Sequence, residues 1–136
     1  MPKATNLSPG AVKMLQERQF AHITTLMPDG SPQTTVVWVD VADDGSYVLV
    51  NTGDDRIKTR NLRRDPRVAV SILDPQNSQR LVTLRGEVVE MTKDGAGDHY
   101  RKLGMKYSGR EPSRNSLDSR LLLRIKPSHV FERGIE

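Results

Sequence analysis

Apolar residues come along this chain in short runs divided by turn signals, and most runs have the two-residue period of strands. Phe20 to Met27 mixes Ile and Thr in the manner of a half-buried strand. Pro28-Asp29-Gly30-Ser31 is a turn signal, and a long strand is expected from Pro32 to Val41 around the apolar run Val36-Val37-Trp38-Val39. Asp43-Asp44-Gly45-Ser46 then turns the chain into a third strand, Tyr47 to Thr52. Three runs joined by two hairpin signals read as an antiparallel meander. Val68 to Leu73 is a fourth strand and Arg80 to Met91 a fifth, with Gly86 marking a bulge or barrel corner. Leu121 to Ile125 is a sixth, and Pro127 turns a corner into a last short strand around His129-Val130-Phe131.

Helical signals are fewer. Ser8 caps and Pro9 opens a first helix that buries Val12 and Leu15 and ends near Arg18. A short basic helix follows the third strand and stops at Asp65-Pro66, because the residue before proline disfavours helical angles. Asp94 to Tyr107 forms a third helix, interrupted by Gly95, Gly97 and Gly104, and the polar stretch Ser108 to Ser119 reads as a loop. Six or seven antiparallel strands with two or three short helices imply a mainly β protein: one domain over residues 1–136, built as a closed or partly open β-barrel.

Composition adds an expectation about assembly. Only 35% of the 136 residues are apolar and six are aromatic, so a subunit interface is expected to supply further apolar burial, as a homodimer. The formal charge of +4 admits anionic partners. With no cysteine, disulfides and thiolate chemistry are excluded. No apolar run reaches the length of a membrane span and the start lacks a signal-peptide core, so a cytoplasmic protein with no membrane partner is expected.

Acid–base and metal chemistry find little support. His22, His99 and His129 are far apart and fall in no triad or metal motif, so each is expected to pack or hydrogen-bond. Glu87 and Glu90, three apart on one strand, are expected to face opposite sides. The chemistry concentrates instead between Arg56 and Arg67, where six of twelve residues are basic. Arg56, Arg60 and Arg63 recur at helical spacing, with Lys58, Asn61 and Leu62 on another face. Arginine forks and a lysine point charge beside a helix start suit phosphate or carboxylate groups. A second segment, Pro32-Gln33-Thr34-Thr35-Val36-Val37-Trp38, combines hydroxyls, one amide and flat apolar residues that could line a planar ring.

The two segments together resemble the pyridoxamine 5'-phosphate oxidase-like split β-barrel family. The resemblance is carried by Gly30-Ser31-Pro32-Gln33, by the Lys58-x-x-Asn61-Leu62-x-x-Asp65-Pro66-Arg67 run, and by Ser128-His129-Val130-Phe131. The branch it most resembles uses the deazaflavin coenzyme F-420. The resemblance implies a homodimer with cofactor sites at the subunit interface. Gln33, Thr34, Thr35 and Val36 would contact the ring, and Val50, Asn51 and Thr52 would lie near the ring and its side chain. Arg56, Lys58, Arg60 and Asn61 would hold the phosphate and tail, with Gln79 and Arg80 contributed by the partner. Arg63, Arg64 and Arg67 are left as scaffold or solvated charge.

Six cations exceed what the single phosphate of FMN needs, which favours the oligoglutamate-tailed deazaflavin over FMN. The implied activity is hydride transfer from the reduced deazaflavin to an electron-poor enone, quinone or tetrapyrrole, with no catalytic acid or base identified. Three other readings remain at this stage: a deazaflavin-binding protein without turnover, a phosphate-backbone nucleic-acid binder, and a haem protein with His22 or His129 as axial ligand. Few aromatics interleave the basic run, so nucleic acid is not the expected partner.

Overall fold

A computed structural model describes residues 5–113 and 117–135. The elements follow as α1 (Pro9–Gln16), β1 (Phe20–Leu26), β2 (Pro32–Trp38), β3 (Asp40–Val41), β4 (Val48–Gly53), α2 (Ile57–Arg64), β5 (Arg67–Leu73), β6 (Leu81–Thr92), α3 (Ala96–Ser108) and β7 (Arg120–Arg133). The strands pair antiparallel in one sheet of order β2-β1-β5-β6-β7-β4-β3. β2 and β3 are the two edges of that sheet, yet only Val39 separates them in sequence. One residue spans about 3.5 Å, so the edges must come together and the sheet curls into a barrel. It is a split barrel, because β2 and β4 meet without joining into a hydrogen-bonded ladder. The expected mainly β, antiparallel architecture is the one observed.

The expected strand from Pro32 to Val41 is in fact two, and the meander breaks at this crossing. The break is held from outside by α3: the Val39 amide donates to the Tyr107 hydroxyl at 3.1 Å, and the Lys106 ammonium donates to the Val39 carbonyl at 2.8 Å. The last strand also differs from expectation. β7 runs unbroken through Pro127, because the β6–β7 register slips between Arg85 and Gly86 and leaves Pro127 opposite Gly86. The missing proline amide thus falls at a bulge. Gly86 is required there, since a Cβ would lie 2.1 Å from the Lys126 carbonyl oxygen.

A second slip, between Val88 and Glu90, changes another expectation. It places Glu87 opposite Lys126 and Glu90 opposite Arg124, both on the outer surface rather than on opposite faces, while Val88 and Met91 pack inward. Even so they form no carboxylate pair, because Arg124 Nε donates to Glu90 at 3.0 Å.

Inward alternation fills the barrel with Ile23, Val70, Ile72, Val82, Leu123 and Ile125, each at most 2% exposed. Each such side chain contributes about 1.5–3 kcal/mol of burial. α1 closes one end with Ala11, Met14 and Leu15, its first turn capped by the Ser8 hydroxyl, which accepts from the Ala11 amide at 3.2 Å. The outer face of β1, β5, β6 and β7 stays open, with Phe20, Leu73 and Phe131 all roughly half exposed. No helix among the described residues is long and apolar enough to cross a membrane.

Candidate functional site

The split leaves one edge of β2 unpaired, and a cavity of about 480 Å³ opens beside it. β2 contributes Thr35 to Trp38 and β4 its last residues, Asn51 to Gly53. α2 and the residue before it contribute Lys58 and Arg56, α3 contributes Tyr100, and Arg120 enters from the start of β7.

Local chemistry places these groups. The Thr59 hydroxyl donates to the Gly53 carbonyl at 2.7 Å and is fully buried, which ties the first turn of α2 to the end of β4. Arg56 and Lys58 are thereby held beside Asn51 and Thr52. Arg120 is oriented twice: its Nε donates to Asn51 Oδ1 at 2.7 Å, and its guanidinium lies 3.8 Å from the centre of the Tyr100 ring. Trp38 stacks between two tyrosines of α3, at 6.0 Å from Tyr100 and 5.0 Å from Tyr107, and forms the apolar wall.

The electrostatics are one-sided. Burial, then the neighbouring Arg56 and Arg120 charges, push the Lys58 ammonium below its ordinary value. Burial does the same to Arg120, with Tyr100 and Asp55 opposing and Arg56 adding. Among the described residues no carboxylate forms an ion pair with Arg56, Lys58 or Arg120. Three cations that share a cavity without a counter-ion make an anion site. The walls also carry hydrogen-bonding capacity that the described residues do not fill. Thr35 Oγ1 is buried there and has no partner among them, and the same holds for Gln33 Oε1, two residues earlier on β2 and outside the cavity lining.

The candidates from sequence divide accordingly. Thr35, Val36, Asn51, Thr52, Arg56 and Lys58 meet in the cavity. The Val50 side chain is instead in the barrel core, 0% exposed. Thr34 points outward and shares a hydrogen bond with Thr24. Arg60 donates to the Asp55 carbonyl at 3.1 Å on the exposed face of α2. Asn61 is buried, its amide donating to Thr25 at 3.0 Å and accepting from Arg64. Gln79 and Arg80 lie at the β5–β6 hairpin, where Arg80 forms ion pairs with Glu17 and Asp74. Arg64 and Arg67 are occupied by the Leu26 carbonyl and by Asp65. His22 and His129 line a depression on the outer face of the sheet. Residues 114–116 of the expected Ser108–Ser119 loop lie outside the described residues.

Tyr100 and Arg120 were not foreseen. Arg120 opens an apolar strand 62 residues after Lys58 and Tyr100 sits mid-helix, so nothing local marks either one.

The sequence profile of the pyridoxamine 5'-phosphate oxidase family matches residues 7–134. Among solved structures, an F-420 reductase is similar at 30% identity and a TM-score of 0.78, over 88% of this chain and 94% of that one. A conserved hypothetical protein from Mycobacterium tuberculosis matches at 22% identity and a TM-score of 0.74, over 98% of this chain and 89% of that one. General stress protein 26 from Bacillus anthracis matches at 14% identity and a TM-score of 0.69, over 93% of each chain. The last two show a shared fold.

Proposed function

The chain belongs to the pyridoxamine 5'-phosphate oxidase family, whose members bind flavin or deazaflavin cofactors, and on that premise we propose that it binds coenzyme F-420 and transfers a hydride from its reduced form to an electron-poor small molecule. The observation that carries the reading is the convergence of Arg56, Lys58 and Arg120, without counter-ions, beside an unpaired strand edge.

The residues present fit such a group. Arg56, Lys58 and Arg120 would hold the phosphate, and the exposed Arg60 and Arg63 continue the positive charge along α2 toward an acidic tail. Thr35 Oγ1 and the free edge of β2 supply hydrogen bonds for a polar ring edge. Trp38 and Tyr100 shield one side from water. When bound, the reduced deazaflavin supplies the hydride. The protein's part is to position and to exclude. Among the described residues no Asp, Glu or His lines this cavity, and no catalytic acid or base is assigned.

A second reading, FMN, has its own support: among the described residues three cations line the cavity itself, which is what one phosphate needs. The homodimer is proposed to form through the outer face of β1, β5, β6 and β7, where Phe20, Leu73 and Phe131 flank the small residues Ala69, Ser71 and Thr83. Fluorescence titration with coenzyme F-420 and with FMN tests the proposal and separates the two cofactors. Arg56→Ala combined with Lys58→Ala removes two charge-assisted contacts of about 1.5–3 kcal/mol each, so affinity should drop by about 100-fold or more. Unchanged affinity in the double variant sinks the site assignment.

A further inference from the structure

Behind the anion groove lies a buried polar chain that the reading above does not use. Asn51 is 8% exposed, and its amide is fully engaged. Oδ1 accepts from Arg120 Nε at 2.7 Å, while Nδ2 donates to the Ala96 carbonyl at 2.9 Å and lies 3.1 Å from His99 Nδ1. An amide nitrogen can only donate, so Nδ1 of His99 accepts and the ring proton sits on Nε2. That nitrogen donates to Asp40 Oδ2 at 3.0 Å, and the same oxygen receives the Lys102 ammonium at 3.1 Å. The chain Arg120–Asn51–His99–Asp40–Lys102 therefore joins β7, β4, α3 and β3, with a unique direction for every hydrogen bond.

We propose that His99 is a positioning residue: acting through Asn51, it holds Arg120 over the anion groove, and it does so only as the neutral ring protonated on Nε2. A proton on Nδ1 would set donor against the Asn51 donor. Turning the amide over would mend that contact but aim Nδ2 at Arg120 Nε and Oδ1 at the Ala96 carbonyl. Each arrangement leaves a buried polar group facing its like, which costs more than letting Arg120 go. The groups facing His99 are Asn51 from β4, Asp40 from β3, Arg120 from β7 through Asn51, and Lys102 on its own helix. The Asp40 charge also reaches Lys106 and Tyr107, about two turns beyond His99 along α3. Tyr100, the neighbour of His99 in sequence, stacks on the same guanidinium, so α3 fixes Arg120 from both sides.

This inference rests on the reading of Arg120 as part of the cofactor site, and the experiment separates the two. Coenzyme F-420 affinity is measured for the wild type, Arg120→Ala, His99→Phe, the double variant and His99→Gln. Arg120→Ala should weaken binding about 10-fold or more. His99→Phe should weaken it several-fold in the wild-type background and not at all in Arg120→Ala. His99→Gln, whose Oε1 can accept from Asn51 while Nε2 donates to Asp40, should bind as the wild type does. In the free protein, ¹⁵N NMR should find His99 as the Nε2–H tautomer, a readout that needs neither cofactor nor variant. Additive losses in the double variant or an Nδ1–H tautomer overturns the inference alone. Wild-type affinity in Arg120→Ala overturns the anion-site reading and this inference together.

Discussion

Replacing Lys58 with Met should make the free protein more stable while weakening its hold on the cofactor. The ammonium lies in the groove with its charged form disfavoured, first by burial and then by Arg56 and Arg120. Methionine keeps most of the apolar stem and removes the charge. Relief of an unfavourable site of this kind stabilises by about 0.5–2 kcal/mol. At about 2.1 cal/mol/K of unfolding entropy per residue, the 136 residues give about 0.29 kcal/mol/K, so Tm should rise by about 2–7 °C. Loss of one charge-assisted phosphate contact costs about 1.5–3 kcal/mol, or about 10- to 150-fold in Kd. With coenzyme at about 100 times the wild-type Kd, binding stabilises the wild type by about 2.7 kcal/mol. For a variant with about 30-fold weaker affinity the same concentration gives about 0.9 kcal/mol. Calorimetry with and without coenzyme should therefore show a higher free Tm and a ligand-induced shift cut to about a third.

The pH dependence has a definite sign. Because the folded pKa is depressed, the cost is fully present below it and is relieved as pH rises through it toward 10.5, so the advantage of the variant should shrink in alkali. A lower Tm together with an unchanged ligand shift would refute the reasoning.

Three further outcomes are expected. For Asp40, burial alone would raise the carboxyl, but hydrogen bonds from His99, the Val41 amide and Lys102 outweigh it and hold it well below 3.8. Its contribution is therefore present above pH 3.8 and lost as pH falls through the folded value; Asp40→Asn should cost about 2–3 kcal/mol near neutrality, with the gap from the wild type closing in acid denaturation curves. Gly86→Ala places a methyl 2.1 Å from the Lys126 carbonyl, and a loss above about 3 kcal/mol in urea unfolding is expected; wild-type stability would show that the bulge tolerates a Cβ. Phe131→Asp, at a position 56% exposed on the open sheet face, should halve the mass seen by light scattering if that face joins two copies, and a dimer of normal affinity would exclude it.

What the sequence by itself determined lies wherever the cause is local. Ser8 caps α1 and Asp65-Pro66 ends α2, because a hydroxyl and a proline ring act on their own few residues. The bulge at Gly86 was legible for the same reason, as were most strand positions, through the two-residue alternation of buried and exposed side chains. Arg56 and Lys58 could be picked out as an anion-seeking pair from composition and spacing. Tertiary structure decided the rest. A strand that crosses between sheet edges at Val39 looks in sequence like one continuous strand, because alternation records which way side chains face and not which neighbour the backbone pairs with. The six cations between Arg56 and Arg67 look alike in sequence and divide only in the fold: two line the groove, while Arg64 and Arg67 bind a carbonyl and a carboxylate nearby. The third cation of the groove, Arg120, comes from the far end of the chain. It is placed by β4–β7 pairing and by Asn51 and Tyr100, contacts whose energy depends on distances in space and leaves no period or motif in the order of residues.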